Sequence, residues 1–261
     1  MRVALLLSGQ FREGLECYPY IKSRILDVYS PDVFISCWNP SDHINSTVQA
    51  DTSNLSDSLS VGDIISMYKP KLMLSEDFDS DSITRILERS NLYDEYSPMN
   101  GEMNPQSVFC MWYKIDSSYS LMEKYESSVG KKYDYVIKGR FDIKIHNDLF
   151  FDPDKSVINI PHGFDWRGGI NDVIAYGGRN PMSHYCGLYR SIENYLSRDS
   201  VFFHPETLLR NHLLISGYKI IRSDLQVSLR GNMLSHKEVN RSNNMKKSSG
   251  YIQSRGNFWD T

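Results

Sequence analysis

Lys138, Arg140 and Asp142 stand at alternate positions in YDYVIKGRFDIKI, residues 133–145, directly after the β-prone apolar run Tyr135, Val136 and Ile137. A strand has a period of two, so a strand carried through this stretch sends all three charges out on one face. Two cations and a carboxylate are costly to bury. The spacing therefore predicts an apolar strand that delivers a charged cluster to the carboxyl edge of a sheet, where open α/β folds hold their ligands. The same residues also have a purely structural account, an Arg140–Asp142 ion pair satisfied on a sheet rim.

Two further groups carry chemistry. PHGFDWRGGINDVIAYGG, residues 161–178, sets Asp165, Trp166, Arg167 and Asp172 among five glycines that bracket a strand expected at Val173 to Tyr176. Glycine lets that backbone bend sharply or approach a ligand closely. Asp172 is equally at home as a cap or turn residue, and Trp166 as a core plug. His204-Pro205-Glu206 opens a helix expected to reach Leu214, and Glu206 in its first turn suits the helix dipole with or without a further role. Near the start, Ser8-Gly9-Gln10 with Arg12 and Gly14 forms a glycine turn between a strand and a helix. Such a turn offers N–H groups and a positive dipole to a phosphate, although no complete phosphate-loop or dinucleotide fingerprint is present. An ordinary βα turn with Arg12 in solvent is the alternative.

The elements that must position these residues alternate between strand and helix. Arg2 to Ser8 reads as a strand covered on both faces, Leu15 to Tyr29 as an amphipathic helix, and Asp32 to Trp38 as a second buried strand. Residues 39–60, rich in Ser, Asp and Asn, read as a long surface excursion. A short helix over 61–68, a strand over 71–74 and a helix over 82–89 follow. Asn104-Pro105 then starts a long core helix that runs to about Tyr125, with Val108, Met111, Trp112, Ile115, Tyr119 and Met122 on one stripe. Beyond the central motif come a strand at Val157 to Ile160, helical spacing from Met182 to Leu196, and late strands at Tyr218 to Ile221 and Gln226 to Leu229. A polar tail begins near Ser235.

The 261 residues suffice for one large domain, and a net charge of −3 argues against a nucleic-acid partner, whose affinity rests on many phosphate contacts. Seventeen tyrosines and four tryptophans suit the flat apolar faces of sugars or bases. Cys17, Cys37, Cys110 and Cys186 lack zinc spacing, and no apolar segment is long enough to span a bilayer. The expected compartment is cytoplasmic, where the sequons at Asn45, Asn54 and Asn240 carry no glycan.

Five stretches, VALLLSGQFR, DVFISCW, YDYVIKGRFDIKI, INDVIAYGGRNPM and HPETLLRNHL, resemble in their order and spacing the nucleotide-sugar-dependent glycosyltransferases of the GT-A type. More narrowly, they are similar to a branch found in bacteria and large algal viruses, including chlorovirus glycan-building transferases. Together they are spread across most of residues 1–230. The resemblance implies an α/β fold with a GT-A-like, Rossmann-like central mixed sheet flanked by helices. That single domain would span residues 1–234, with 1–145 as the nucleotide-sugar half, 146–234 as the acceptor half and 235–261 as a tail.

In that family a strand ends in a DxD motif whose aspartate holds a divalent metal against the donor diphosphate. Here the matching triplet is Arg140-Phe141-Asp142, which keeps only the last carboxylate. The expectation is a Mn2+ or Mg2+ ion with Asp142 as its main protein ligand and phosphate and water oxygens around it. The alternative gives neutralisation of the leaving diphosphate to Arg140 with Lys138.

The implied reaction transfers a sugar from a nucleoside diphosphate, with UDP first in line, to a hydroxyl of a glycan acceptor. Ser8, Gly9 and Gln10 would line the nucleotide, and Arg12 would join Arg140 on the diphosphate. Asp172 is the first candidate for the base, with Asp165 and Glu206 behind it, and a single base implies inversion. Trp166 or Trp38 would stack on a sugar. Two other classes remain open: a catalytically silent sugar- or nucleotide-binding domain, and a nucleotidyltransferase, which SGQFREG matches only in part.

Overall fold

An apolar run without polar alternation needs cover on both faces, and Val3–Gly9 receives it: six of the seven residues of this first strand, β1, are buried. The protein is described by a computed structural model over residues 1–39, 60–79, 105–196 and 203–229. Most of the excursion expected at 39–60, the helix expected at 82–89, the three sequons and the polar tail lie outside the described residues.

After β1 come α1 (Gly14–Ile21), β2 (Asp32–Trp38), α2 (Val61–Tyr68), β3 (Leu72–Glu76), α3 (Pro105–Val129) and β4 (Tyr135–Gly139). The second half adds β5 (Ile143–Ile145), β6 (Val157–Pro161), β7 (Ala175–Gly178), α4 (Arg179–Cys186), α5 (Ile192–Leu196), α6 (Pro205–Leu214), β8 (Lys219–Ser223) and β9 (Val227–Leu229). Seven strands make one sheet in the order β3-β2-β1-β4-β7-β6-β8, while β5 and β9 pair separately. β3, β2, β1 and β4 are all parallel, β7 is antiparallel to both β4 and β6, and β8 returns parallel to β6. The architecture is therefore α/β around a mixed, mostly parallel sheet.

Strand alternation divides the core into two layers. Ala4, Leu6 and Val136 pack with Val108, Trp112, Ile115, Tyr119 and Met122 of α3 on one face. Leu5, Leu7 and Ile137 pack with Ile21, Ile25 and Ile64 from the α1 and α2 side on the other. The chain moves outward from β1 to β2 and β3, then crosses back through α3 to place β4 on the opposite side of β1. That reversal makes the carboxyl ends of β1 and β4 the topological switch point of the sheet.

Three local expectations change. β4 stops at Gly139, and Arg140 to Asp142 form a turn before β5, so the three charges do not share one strand face. The helix after β1 covers the expected span but widens into a π-helical turn at Lys22–Leu26, just past Pro19, which has no N–H for the helical ladder. The strand expected at 173–176 lies two residues later, with Gly177 and Gly178 inside it. A Cβ on either glycine would strike backbone at Val157 or Lys155, so these glycines permit close packing of β7 on β6.

Gly177→Ala should therefore cost about 2–3 kcal/mol through overpacking against a backbone that cannot yield. Urea denaturation measures this directly, and a variant as stable as the parent contradicts the β6–β7 approach.

Candidate functional site

The last paired residues of β1 and β4 are Leu7 and Gly139; β1 runs on to Gly9 beside β2, so the turn after β4 starts next to the end of β1. Gly9, with φ of 102°, makes the first turn in a region that side chains disfavour. Phe11 and Phe141, one from each turn and both buried, meet at 5.1 Å and 59°, with Tyr68 of α2 at 5.8 Å from Phe141. A Cβ on Gly14 would overlap the Phe11 ring, which fixes how tightly α1 begins. The Phe11–Phe141 contact holds the turn that carries Gly9, Gln10 and Arg12 against the turn that carries Arg140 and Asp142. Ser8 is buried, and Arg12 Nε donates to Gln10 Oε1 at 2.8 Å.

Arg140 grips Asp142 in a two-pronged pair, Nε to Oδ1 and Nη2 to Oδ2, each at 2.8 Å. The carboxylate is 3% exposed and the guanidinium side chain 26% exposed, so Asp142 lies beneath and Arg140 above. No described residue takes Arg140 Nη1. Burial works against the guanidinium charge, but Asp142, with Asp172 and Glu206 behind it, raises the Arg140 pKa above its ordinary value. Both Asp142 oxygens are therefore engaged by a cation the protein itself supplies. A divalent ion on either oxygen would sit beside the guanidinium charge with no second carboxylate from the triplet to offset it, so the side chains present fit an arginine-held anion site better than a metal.

Lys138 points away from that edge. Its amine donates to the carbonyl oxygens of Asp172 and Val173, the latter at 3.3 Å, and fastens the loop before β7 to the end of β4. Burial pushes its pKa down to about 8, with the Asp172 charge opposing. It is an internal staple in place of the edge cation expected from its spacing.

The loop over 163–172 is fastened at several points. Asp165 accepts from Arg222 Nη2 at 3.0 and 3.1 Å and from the Asn171 N–H at 2.9 Å. Thr207 Oγ1 donates to the Arg167 carbonyl at 3.1 Å, and the Ile170 N–H to the Glu206 carbonyl at 3.0 Å. Gly169 lies so close to Glu206 that a Cβ would overlap that residue's backbone. Phe164 and Arg167, at φ of 56° and 52°, are held in the left-handed region, a conformation that persists where surroundings over-determine it. Between these anchors Trp166 stands outward, 53% exposed, so it is no core plug.

The fastened loop brings Asp172, 5% exposed, toward Glu206, 7% exposed in the first turn of α6. Burial first, and the Asp172 charge second, push the Glu206 carboxyl up to about 7. His204 Nδ1 lies 2.5 Å from Glu206 Oε2. Asp172 and Glu206 thus belong to one cluster with Arg140, whereas Asp165 is committed to holding the loop.

Trp38 is elsewhere. Lys114 Nζ sits 3.8 Å over its ring and 2.6 Å from Glu76 Oε2, and Tyr113 donates to Glu76 at 3.0 Å. With an ammonium on one face and only 8% exposure, Trp38 is no open platform for a sugar. His204, Arg222 and Glu76 were not among the expected site residues. Only His204 left a sequence signal: it precedes a helix-opening proline where a Ser, Thr, Asp or Asn cap is usual.

No protein-family model matches this chain, and no curated protein matches it.

The folded-state Lys138 pKa of about 8 lies below the ordinary lysine value, so the unfolded chain binds a proton that the folded chain gives up. Stability from this residue therefore rises with pH through that window. The stability of the parent relative to Lys138→Met should increase between about pH 8 and pH 10. Urea melts at several pH values check it, and a pH-independent difference contradicts the buried, depressed amine.

Proposed function

We propose that this protein is a GT-A-type glycosyltransferase that moves a sugar from a nucleoside diphosphate, UDP-linked in the first instance, to a hydroxyl of a glycan acceptor. The observation that carries the reading is the meeting, at the β1–β4 switch point, of an outward guanidinium with a buried carboxylate pair. Transfer at an anomeric carbon needs both: positive charge where the diphosphate leaves, and a base where the acceptor hydroxyl arrives.

The Ser8–Gly9–Gln10 turn receives the nucleotide. Arg140, oriented from below by Asp142, takes the diphosphate through the donor that Asp142 leaves unused, with Arg12 from the neighbouring turn. Glu206 is the base, because a carboxyl poised near neutrality accepts a proton and releases it again at physiological pH. The Asp172 charge beside it helps to set that poise, a division of labour between two carboxylates in unlike environments. Trp166 offers its exposed ring to the acceptor sugar. One base on one face implies inversion.

A second reading, a silent sugar-nucleotide-binding domain, is favoured by the Arg140–Asp142 pair being complete by itself. UDP release from UDP-glucose, UDP-galactose and UDP-N-acetylglucosamine, alongside nucleotide-induced Tm shifts, separates the two. Shift with release supports the transferase, shift without release supports the silent domain, and neither contradicts both. Glu206→Gln should lower turnover about 10²–10⁴-fold while keeping the parent's nucleotide-induced Tm shift. Unchanged turnover, or a lost shift, removes Glu206 from the role of base.

A further inference from the structure

His204 is not used in the scheme above, yet its position is closely specified. It is the extended residue before α6, at φ −142° and ψ 143°, with Pro205 fixing the first helical position, and its side chain makes no cap to the helix. The imidazole turns instead to Glu206, Nδ1 to Oε2 at 2.5 Å, with the two side chains 12% and 9% exposed. Both atoms of the contact are shut off from solvent, and their approach is a close charge contact whose angles are not those of an ordinary hydrogen bond. Gly169 packs on the Glu206 backbone, where a Cβ would overlap it, so the loop before β7 and the first turn of α6 are held close together.

The titratable and charged groups around Glu206 are His204, Asp172 from the loop before β7, Arg140 from the turn after β4, and Tyr185 from α4. Arg140 is committed to Asp142, and Asp172 repels the charge on Glu206. His204 is thus the cationic or donor group in direct contact.

We propose that His204 is a positioning residue for proton transfer, its Nδ1 turned to Glu206 Oε2 so that the carboxyl takes its charge more readily and presents its other oxygen to the acceptor hydroxyl. This rests on the glycosyltransferase reading of the site. In the step, the acceptor O–H bond breaks and its proton passes to the free Glu206 oxygen. The acceptor oxygen bonds to the anomeric carbon, and the bond from that carbon to the diphosphate breaks with its electron pair leaving on the diphosphate. His204 exchanges no atom. Burial and Asp172 lift the Glu206 pKa, whereas the His204 contact holds it down, so without the imidazole the carboxyl holds a proton at neutral pH and is lost as a base.

The test reads the carboxyl itself. In protein labelled with 13C-glutamate, the Glu206 signal is identified by its loss in Glu206→Gln and followed against pH. In the parent it should titrate near neutrality, and in His204→Ala about one unit higher, the scale on which a neighbouring charge moves a carboxyl. His204→Asn, which keeps a neutral donor, should restore part of the difference. If His204→Ala does not fold, His204→Leu fills the space without a donor and is read in the same way. Where turnover is measurable, the acidic limb of kcat/KM should move to higher pH in parallel. A Glu206 that titrates in the ordinary carboxylate range, or is unmoved by loss of the imidazole, overturns the proposal. The titration needs no turnover, so failure of the transferase reading appears separately, as absent UDP release and absent nucleotide shift in the parent.

Discussion

The parallel pairing of β1 with β4 is the constraint on which the rest depends. Because Leu7 and Gly139 close their ladder together while β1 runs on to Gly9 beside β2, the turn after β4 emerges next to the last residues of β1. Phe11 and Phe141 then lock the turns to each other below the surface, an aromatic contact worth about 0.5–1.5 kcal/mol beyond the area it buries. What is left above that contact is polar: the Gly9 turn on one side and the Arg140–Asp142 pair on the other. A shift of one residue in this register would separate them.

Charge balance shapes the second layer of the site. Lys138, Asp142, Asp172 and Glu206 are all buried, and with Arg140 they bring two cations against three carboxylates. Asp142 is answered by Arg140, and Lys138 spends its donors on backbone carbonyls. The remaining negative charge falls on Asp172 and Glu206, and burial makes Glu206 the group that yields. The poise of Glu206 near neutrality is thus a property of the whole cluster, tuned from one side by Asp172 and from the other by His204.

Much of this was legible in the sequence because it is local. The uninterrupted runs of β1 and β2, the stripe along α3 and the proline that opens α6 each follow from a period or a backbone restriction. The charged triplet was legible as a site but not as a geometry. Period-two reasoning assumes that the strand continues, and β4 ends at Gly139, so Lys138 turns inward while Arg140 and Asp142 fold onto each other. Trp38 shows the other limit. At a strand end it reads as a ring open to ligands, yet the ammonium that covers it comes from Lys114, far along the chain on α3. Asp165 likewise has the composition of a candidate base, and Arg222, which claims it, lies 57 residues away.

We propose that Arg140, held by Asp142, carries the diphosphate in place of a metal. Calorimetric titration of UDP into the parent and into Arg140→Ala, each with EDTA and with Mn2+, tests it most directly. The parent should bind UDP equally well in both conditions, and Arg140→Ala should lose about ten-fold or more in affinity, the scale of a charge-assisted hydrogen bond. Binding by the parent that requires Mn2+ and is indifferent to Arg140 would contradict it and return Asp142 to the role of metal ligand.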